Sequence, residues 1–145
     1  MKKIYLAAPL FTTLERNINK YIAEKIENTG KYKVFLPQTV SPIKVNDEYD
    51  MYPIFEGCKN NIIDSDIIVA LVDGADVDSG VAWELGYAFA NNKKSICIRT
   101  DIRKSEGNGV NIMIEYGSTK TLYRTKYHQN MDDLIDLIIK EIEEI

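Results

Sequence analysis

Residues 67–90 read IIVALVDGADVDSGVAWELGYAFA and contain a complete strand, loop and helix. The apolar run 67–72 is typical of a fully buried parallel strand, and the Asp- and Gly-rich run 73–80 predicts the loop that follows it. A helix over 80–92 is predicted by four apolar residues that recur at the spacing of one helical face: Val81, Leu85, Ala88 and Phe89. Such a unit is the building block of an open α/β sheet.

One acid, Glu84, lies inside this apolar stripe. A carboxylate held against the fold is costly unless its desolvation is compensated, so an unpaired structural acid is not expected here. In open α/β sheets, sites form at the carboxyl ends of the strands, and the positive end of the helix dipole lies near Glu84. The sequence therefore predicts a functional acid, and the dipole favours its ionised, nucleophilic form.

The same alternation of strands and helices continues along the chain. Predicted strands cover 3–8, 32–36, 67–72, 95–98 and 121–123, and predicted helices cover 12–29, 52–63, 80–92, 110–116 and 131–145. The stripe of the first helix is formed by Leu14, Ile18, Tyr21, Ile22 and Ile26. The segments 37–50 and 100–109 are predicted to be irregular loops. These elements predict a doubly wound, five-stranded parallel sheet of Rossmann or flavodoxin-like order 2-1-3-4-5, with strands 1 and 3 at the switch point.

Composition limits the kind of protein and partner. A chain of 145 residues, 45% of them hydrophobic, fits one domain over 1–145. The net charge of −4 argues against nucleic acid as the main partner, so a small molecule is favoured. Cys58 and Cys97 lack metal-ligand spacing and are expected to be reduced, buried thiols. Without a signal-peptide stretch or a long apolar run, we expect a soluble, cytoplasmic protein with no membrane partner.

Two motifs occur at the predicted switch point. IYLAAPLF occupies 4–11 and DSGVAWELGYA occupies 78–88, while Pro37-Gln38 and Val110-Asn111 accompany them in the loops. Together these residues closely resemble the nucleoside 2-deoxyribosyltransferase family, from residue 3 to about residue 117. The resemblance implies a Rossmann-like domain that exchanges the base of a 2′-deoxynucleoside through a covalent deoxyribosyl-enzyme intermediate, with no metal and no cofactor.

By this resemblance, three residues carry the chemistry. Glu84 matches the nucleophile that attacks C1′, Tyr5 matches the tyrosine that orients it, and Asp78 matches an acid near the sugar and base. A carboxylate nucleophile suits displacement at an anomeric carbon through an oxocarbenium-like transition state, and a phenol can hold it without a competing charge. Asp78 is also at the position of a helix cap, and the two roles are compatible.

The remaining predicted site residues bind substrate. Gln38 matches a residue that hydrogen-bonds a base edge, and Phe11 would pack against the substrate. Asn111 matches a residue supplied to a neighbouring subunit's site, which implies a homodimer or a larger homo-oligomer. Gly80, in the Asp-Ser-Gly turn, and Cys58 complete the predicted set. Gln38 and Asn111 fit ordinary loop and helix-start positions equally well.

The chain departs from the family pattern at Cys58, where transferases usually carry an Asp that helps to protonate the leaving base. A thiol with a pKa of about 8.5 is a poor substitute, so either Asp78 or a water takes this role, or base preference and rate differ. Residues 118–145 receive no functional assignment, because they replace the aromatic tail of some members.

A related branch hydrolyses deoxynucleoside 5′-monophosphates and holds the phosphate with small hydroxyl residues at the positions of Pro9, Asp78 and Asn111. A carboxylate at position 78 would repel phosphate, which favours a free deoxynucleoside and a free nucleobase as partners. Two alternatives stay open: an N-glycosidase that hydrolyses nucleosides or their 5′-monophosphates, and a non-catalytic nucleotide-binding module. His128 is expected to be exposed, and the Asp residues of the 73–78 loop lack the spacing of a metal site.

Overall fold

Parallel pairing links five strands into the central sheet of the computed structural model, which describes residues 1–104, 109–123 and 130–145. These strands are β1 (Lys2–Ala7), β2 (Tyr32–Phe35), β5 (Ile67–Leu71), β6 (Lys94–Arg99) and β7 (Lys120–Tyr123). Their order in the sheet is β2-β1-β5-β6-β7, and every neighbouring pair is parallel. This confirms the predicted α/β fold and its strand order.

In the described ranges, five α-helices connect and flank the strands: α1 (Thr13–Glu27), α2 (Tyr52–Asp64), α3 (Ser79–Ala90), α4 (Ile112–Gly117) and α5 (Met131–Glu144). All five were predicted, with bounds that differ by at most two residues. Polar side chains cap four of them at the N-terminus, because the first backbone N–H groups of a helix have no partner within it: Thr12, Asp78, Asn111 and Asn130.

The sheet separates two apolar cores. Successive side chains of a strand point to opposite faces, so Ile4 and Leu6 of β1 pack with α1 and α5, whereas Tyr5 and Ala7 pack with α2 and α3. The two helical faces that cover the second core are formed by Ile62 with half-buried Cys58, and by Val81, Leu85 and Ala88. The Tyr5 side chain therefore packs on the face of the sheet that α2 and α3 cover.

The prediction of an irregular loop over 37–50 was wrong. The segment begins with a 3-10 turn, Pro37–Thr39, and then forms a two-stranded antiparallel hairpin of β3 (Ile43–Val45) and β4 (Glu48–Asp50). Asn46 and Asp47 make its tight turn with positive φ angles of 50° and 64°. Asn and Asp tolerate this left-handed conformation better than most residues, which is why a two-residue turn forms there.

Four residues predicted to point into the core are exposed instead. Phe89 is 64% exposed, Leu14 77%, Ile18 42% and Tyr21 37%. The buried residues of α1 lie in the middle and C-terminal part of the helix, and they are Asn19, Ile22, Ala23 and Ile26. Phe89 of α3 does not belong to the buried core that Val81, Leu85 and Ala88 help to form.

Hydrogen bonds of the Asp73 and Arg99 side chains connect the loops at the carboxyl ends of β5 and β6. The Asp73 carboxylate accepts hydrogen bonds from the backbone N–H of Thr100 at 2.6 Å and of Asp101 at 2.8 Å, and from the Thr100 hydroxyl. The buried guanidinium of Arg99 donates to the Val72 carbonyl at 2.7 Å. These contacts fix the loop that leads into α3.

Two sequence expectations fall wholly or partly beyond the described ranges. His128 lies outside them, and so does part of the predicted loop 100–109. Within the described ranges, none of the helices has the length and apolar character needed to cross a membrane.

Candidate active site

A phenol and a carboxylate that are 79 residues apart meet at the α2–α3 face of the sheet. The Tyr5 hydroxyl donates a hydrogen bond to Glu84 Oε1 at 2.5 Å. Tyr5 is fully buried in β1, and its ring stacks on Phe35 with ring centroids 5.3 Å apart. Because stacking on Phe35 fixes the position of the Tyr5 ring, the Tyr5 hydroxyl is a fixed hydrogen-bond donor for the Glu84 carboxylate.

Burial dominates the electrostatics of this pair. Desolvation raises the pKa of Glu84 to about 7, although the Tyr5 hydrogen bond lowers it and the nearby charge of Asp78 raises it further. Desolvation and the charge of Glu84 raise the pKa of Tyr5 far above its usual range, so the phenol keeps its proton.

The net shift of the Glu84 pKa is therefore opposite in direction to the shift predicted from the helix dipole. The dipole acts mainly within the first turn, whereas Glu84 lies in the second turn of α3. The carboxylate is held near the midpoint of its titration at neutral pH, where general-base and nucleophilic groups are commonly found.

Asp78 begins α3 as its N-cap. Its Oδ1 accepts a hydrogen bond from the Val81 backbone N–H at 3.0 Å, as predicted for a capping residue. A Cβ atom at position 80 would approach this same oxygen to 3.1 Å, so Gly80 leaves the cap undisturbed. The cap holds the Asp78 charge close enough to Glu84 to raise the pKa of that carboxyl.

The Cys58 side chain joins the pair from α2. It is half-buried and packs against the core that contains Tyr5. Burial and the charge of Glu84 raise the pKa of Cys58. Cys97 lies elsewhere in this core, fully buried, with its Sγ 2.9 Å from Ser118 Oγ.

The amide of Gln38 is engaged with α1. Its Oε1 accepts from Asn19 Nδ2 at 3.1 Å, and its Nε2 donates to the Arg16 carbonyl at 2.9 Å. Phe11, at the end of the β1–α1 loop, is 77% exposed. The sequence reasoning overlooked Asn19, a buried polar residue in the apolar stripe of α1, although the same signal had singled out Glu84.

Asn111 lies apart from the Tyr5–Glu84 pair. It caps α4 by accepting from the Met113 backbone N–H at 3.0 Å, and it lines a groove of about 650 Å³ between α3 and α4. Neither Tyr5 nor Glu84 lines this groove. Its apolar walls include Ala82, Leu85, Phe89, Ile112, Met113 and Tyr116.

The acidic loop before α3 does not form a metal site in the part of the chain that the structure describes. No group of three or more His, Cys, Asp or Glu side chains is arranged there to hold an ion. The oxygens of Asp73 are instead occupied by backbone and hydroxyl donors of the neighbouring loop.

Comparison with known proteins gives a consistent result. A family model described as nucleoside 2-deoxyribosyltransferase matches residues 4–113. An uncharacterized protein of Ureaplasma parvum is 31% identical over 157 aligned positions, which cover 97% of this chain and 96% of that relative.

Two solved structures share the fold over nearly their whole length. One is a 2-deoxyribosyltransferase from Leishmania mexicana, with 19% identity, a TM-score of 0.68 and coverage of 97% of this chain and 98% of the other. The second is a CMP N-glycosidase from Clostridium botulinum, with 16% identity, a TM-score of 0.63 and 98% coverage of both chains.

Proposed function

Because the chain belongs to the nucleoside 2-deoxyribosyltransferase family, we propose that it transfers the 2-deoxyribosyl group between nucleobases, with Glu84 as the nucleophile. One observation carries this proposal, namely the 2.5 Å hydrogen bond from the buried Tyr5 hydroxyl to Glu84 Oε1. A partly buried carboxylate with a neutral donor on one oxygen has its second oxygen available for attack.

In the proposed reaction, the free oxygen of ionised Glu84 attacks C1′ while the bond from C1′ to the base nitrogen breaks. The bonding electrons leave with the base, which takes up a proton, and the sugar remains as an ester of Glu84. An incoming base then attacks C1′, gives up a proton and releases the carboxylate. Tyr5 keeps its proton throughout and orients Glu84, because the pKa of Tyr5 lies far above neutrality.

The leaving base needs a proton, and Cys58 is a poor source because its pKa is raised. We propose that Asp78, or a water that it holds, supplies this proton. The position of Asp78 supports the proposal, since it lies close enough to Glu84 for the two carboxyl groups to interact. Gln38, Phe11, Gly80 and Cys58 are the remaining proposed contacts to the substrate.

We also propose that the working enzyme is a homo-oligomer with shared sites. The support is that Asn111 lies in the α3–α4 groove, which Glu84 does not line, and that the groove exposes Phe89, Met113 and Tyr116. A second copy packed on this apolar surface would bury it and could bring its own Asn111 to the sugar.

Complementation between inactive subunits tests the shared site. Glu84→Ala and Asn111→Ala proteins, each inactive alone, should recover about a quarter of wild-type activity after equal mixing and subunit exchange as dimers, because half of the dimers then carry one intact site. Absence of recovery in demonstrably mixed dimers would exclude a site shared in this way.

The reaction is tested by chromatography of the products from a 2′-deoxynucleoside, with and without a second free base. Transfer predicts a new deoxynucleoside only when the acceptor base is present, and Glu84→Ala should abolish it while circular dichroism shows an unchanged fold. Turnover by Glu84→Ala would exclude Glu84 as the nucleophile.

Hydrolysis is the second candidate, because Glu84 is only partly buried and water can approach an ester formed there. Free base and free 2-deoxyribose without any exchanged product would support an N-glycosidase. A 5′-monophosphate should be included as substrate in the same assay. Binding without any product would support the nucleotide-binding module instead.

A further inference from the structure

We propose that Asn19 is a positioning residue that holds the side-chain amide of Gln38 in one orientation and so sets which bases the site accepts. The inference rests on the proposed function, in which Gln38 contacts the substrate. It assigns a role to a polar residue that is only 3% exposed in the apolar stripe of α1.

The 3-10 turn that carries Gln38 lies at the carboxyl edge of the sheet, between α1 and α2. It follows β2, which pairs in parallel with β1 and places Phe35 opposite Tyr5. Val40, directly after the turn, packs closely on α2, because a Cβ atom at Gly57 would come within 3.3 Å of Val40 Cγ1. The backbone of the turn is therefore held against the sheet and α2, beside the face that carries Tyr5.

Hydrogen bonds to two backbone carbonyls fix the orientation of both amides. Asn19 Nδ2 donates to the Pro9 carbonyl at 2.9 Å and to Gln38 Oε1 at 3.1 Å. Gln38 Nε2 in turn donates to the Arg16 carbonyl at 2.9 Å. A carbonyl only accepts, so a half-turn of the Gln38 amide would set its oxygen against the Arg16 oxygen and its nitrogen against Asn19 Nδ2. Asn19 cannot turn to compensate, because its own oxygen would then face the Pro9 carbonyl.

The Gln38 amide keeps one donor and one acceptor for a ligand. An amide oxygen has two lone pairs and an amide nitrogen two hydrogens, and the contacts with α1 use one of each. Gln38 is only half-buried, so part of it stays accessible to a ligand. Because the amide cannot turn, the remaining donor and acceptor cannot exchange places.

An amide of fixed orientation discriminates between bases that differ in an amino or an oxo group. An amino group on a base edge donates a hydrogen bond, whereas an oxo group accepts one. A site that is built to bond one of them leaves a polar group unpaired when it receives the other. An amide that is free to turn would serve both bases.

Kinetics with two substrates test this role, because 2′-deoxyinosine carries an oxo group where 2′-deoxyadenosine carries an amino group. With a common acceptor base, we expect kcat/KM of the wild type to differ at least about tenfold between them. Asn19→Ala should reduce the difference to within about threefold, and so should Asn19→Ser, whose hydroxyl both donates and accepts and imposes no orientation. Equal kcat/KM values in the wild type, or an unchanged ratio in both variants, would overturn the proposal.

Arg16→Ala is the matched control. The Arg16 guanidinium connects the same two loops without touching the Gln38 amide, because it donates to the backbone carbonyls of Gln38 at 3.2 Å and Leu10 at 3.5 Å. The variant keeps the Arg16 carbonyl that holds Gln38, so it should keep the wild-type ratio. A ratio that falls as far as in Asn19→Ala would show that connection of the loops sets the preference, and would overturn the proposal.

A double-mutant cycle separates orientation of the amide from general packing. Gln38→Ala removes the amide, so the addition of Asn19→Ala in that background should leave the ratio of the two kcat/KM values unchanged. A further change of the ratio in the double variant would refute an action of Asn19 through Gln38.

A measurement without substrate distinguishes failure of this inference from failure of the proposed function. The NMR order parameter of Gln38 Nε2 should be about 0.85 in the wild type and in Arg16→Ala, as for rigid groups, and should fall below about 0.6 in Asn19→Ala and Asn19→Ser. A value that stays high in both Asn19 variants would refute the positioning role. A fall in these variants, without turnover of any deoxynucleoside by the wild type, would support the positioning role and refute the proposed function.

Discussion

Replacing Glu84 by Gln should stabilise the fold progressively as the pH rises, while abolishing turnover. Gln keeps the shape of the side chain but cannot ionise, so it removes the desolvation of a buried charge. The direction in which the free energy of unfolding changes with pH follows from the pKa of Glu84, which burial raises from 4.5 to about 7. Between these values the unfolded chain loses the proton more readily than the folded chain, so the wild-type protein loses stability as the pH rises.

The size of the effect follows from the same pKa. Below about pH 4.5 both states are protonated and Glu84 imposes no penalty, whereas above about pH 7 both are ionised and the penalty is complete. At about 1.4 kcal/mol per pKa unit, the full penalty is about 3 kcal/mol. The stability difference between Glu84→Gln and wild type should therefore grow by about 3 kcal/mol across this window.

Urea unfolding of both proteins between about pH 5 and about pH 8.5 measures this difference, and titrations common to both proteins cancel. Glu84→Ala provides the control, because it removes the same titration and adds a constant loss of packing. The two variants should follow parallel curves against pH. A stability difference that stays constant with pH would show that Glu84 has an ordinary pKa, and the argument from burial would fail.

Substitutions at three further positions test Tyr5, Asp78 and the contact between Asn19 and Gln38. Tyr5→Phe removes the donor that lowers the pKa of Glu84, so the acid limb of kcat/KM should move up by about one pH unit, and an unmoved limb would exclude that donor as an influence. Asp78→Asn keeps the helix cap but removes its charge, so the limb should move down, whereas Asp78→Ala should also lose about 1 kcal/mol of stability in urea. Asn19→Ala leaves Gln38 without its donor and should lower the free energy of unfolding by about 1–3 kcal/mol; a smaller loss would mean that water replaces the amide.

Much of the fold was predictable because the signals are local. Buried strands read as short apolar runs, and right-handed crossovers then leave few possible strand orders. The pairing of Tyr5 with Glu84 was predicted from the family resemblance, and the positions of both residues at the switch point of such a sheet are consistent with it. Asp78 could be assigned as a cap from its position alone.

What the sequence did not predict depends on neighbours that are distant along the chain. Apolar periodicity identifies Phe89 and Leu14 as candidates for a core, but it cannot tell whether another element covers them. The hairpin after the 3-10 turn has strands of only three residues, which are too short for alternation to identify, and it depends on the Asn46-Asp47 turn. The pKa of Glu84 depends on burial by several elements, so the helix dipole alone gave the wrong expectation.

The pairing of β1 with its neighbours makes strand register a determinant of chemistry. Tyr5 is opposite Ile68 of β5 and Phe35 of β2, and this alignment sets the height of the phenol along the strand. A shift of one position would direct the phenol into the α1–α5 core and present an aliphatic side chain to Glu84. A single inserted or deleted residue within β1 would thus remove the hydrogen-bond donor of Glu84 without substituting any residue of the site. A change in the length of the β3–β4 hairpin, in contrast, would leave this alignment intact.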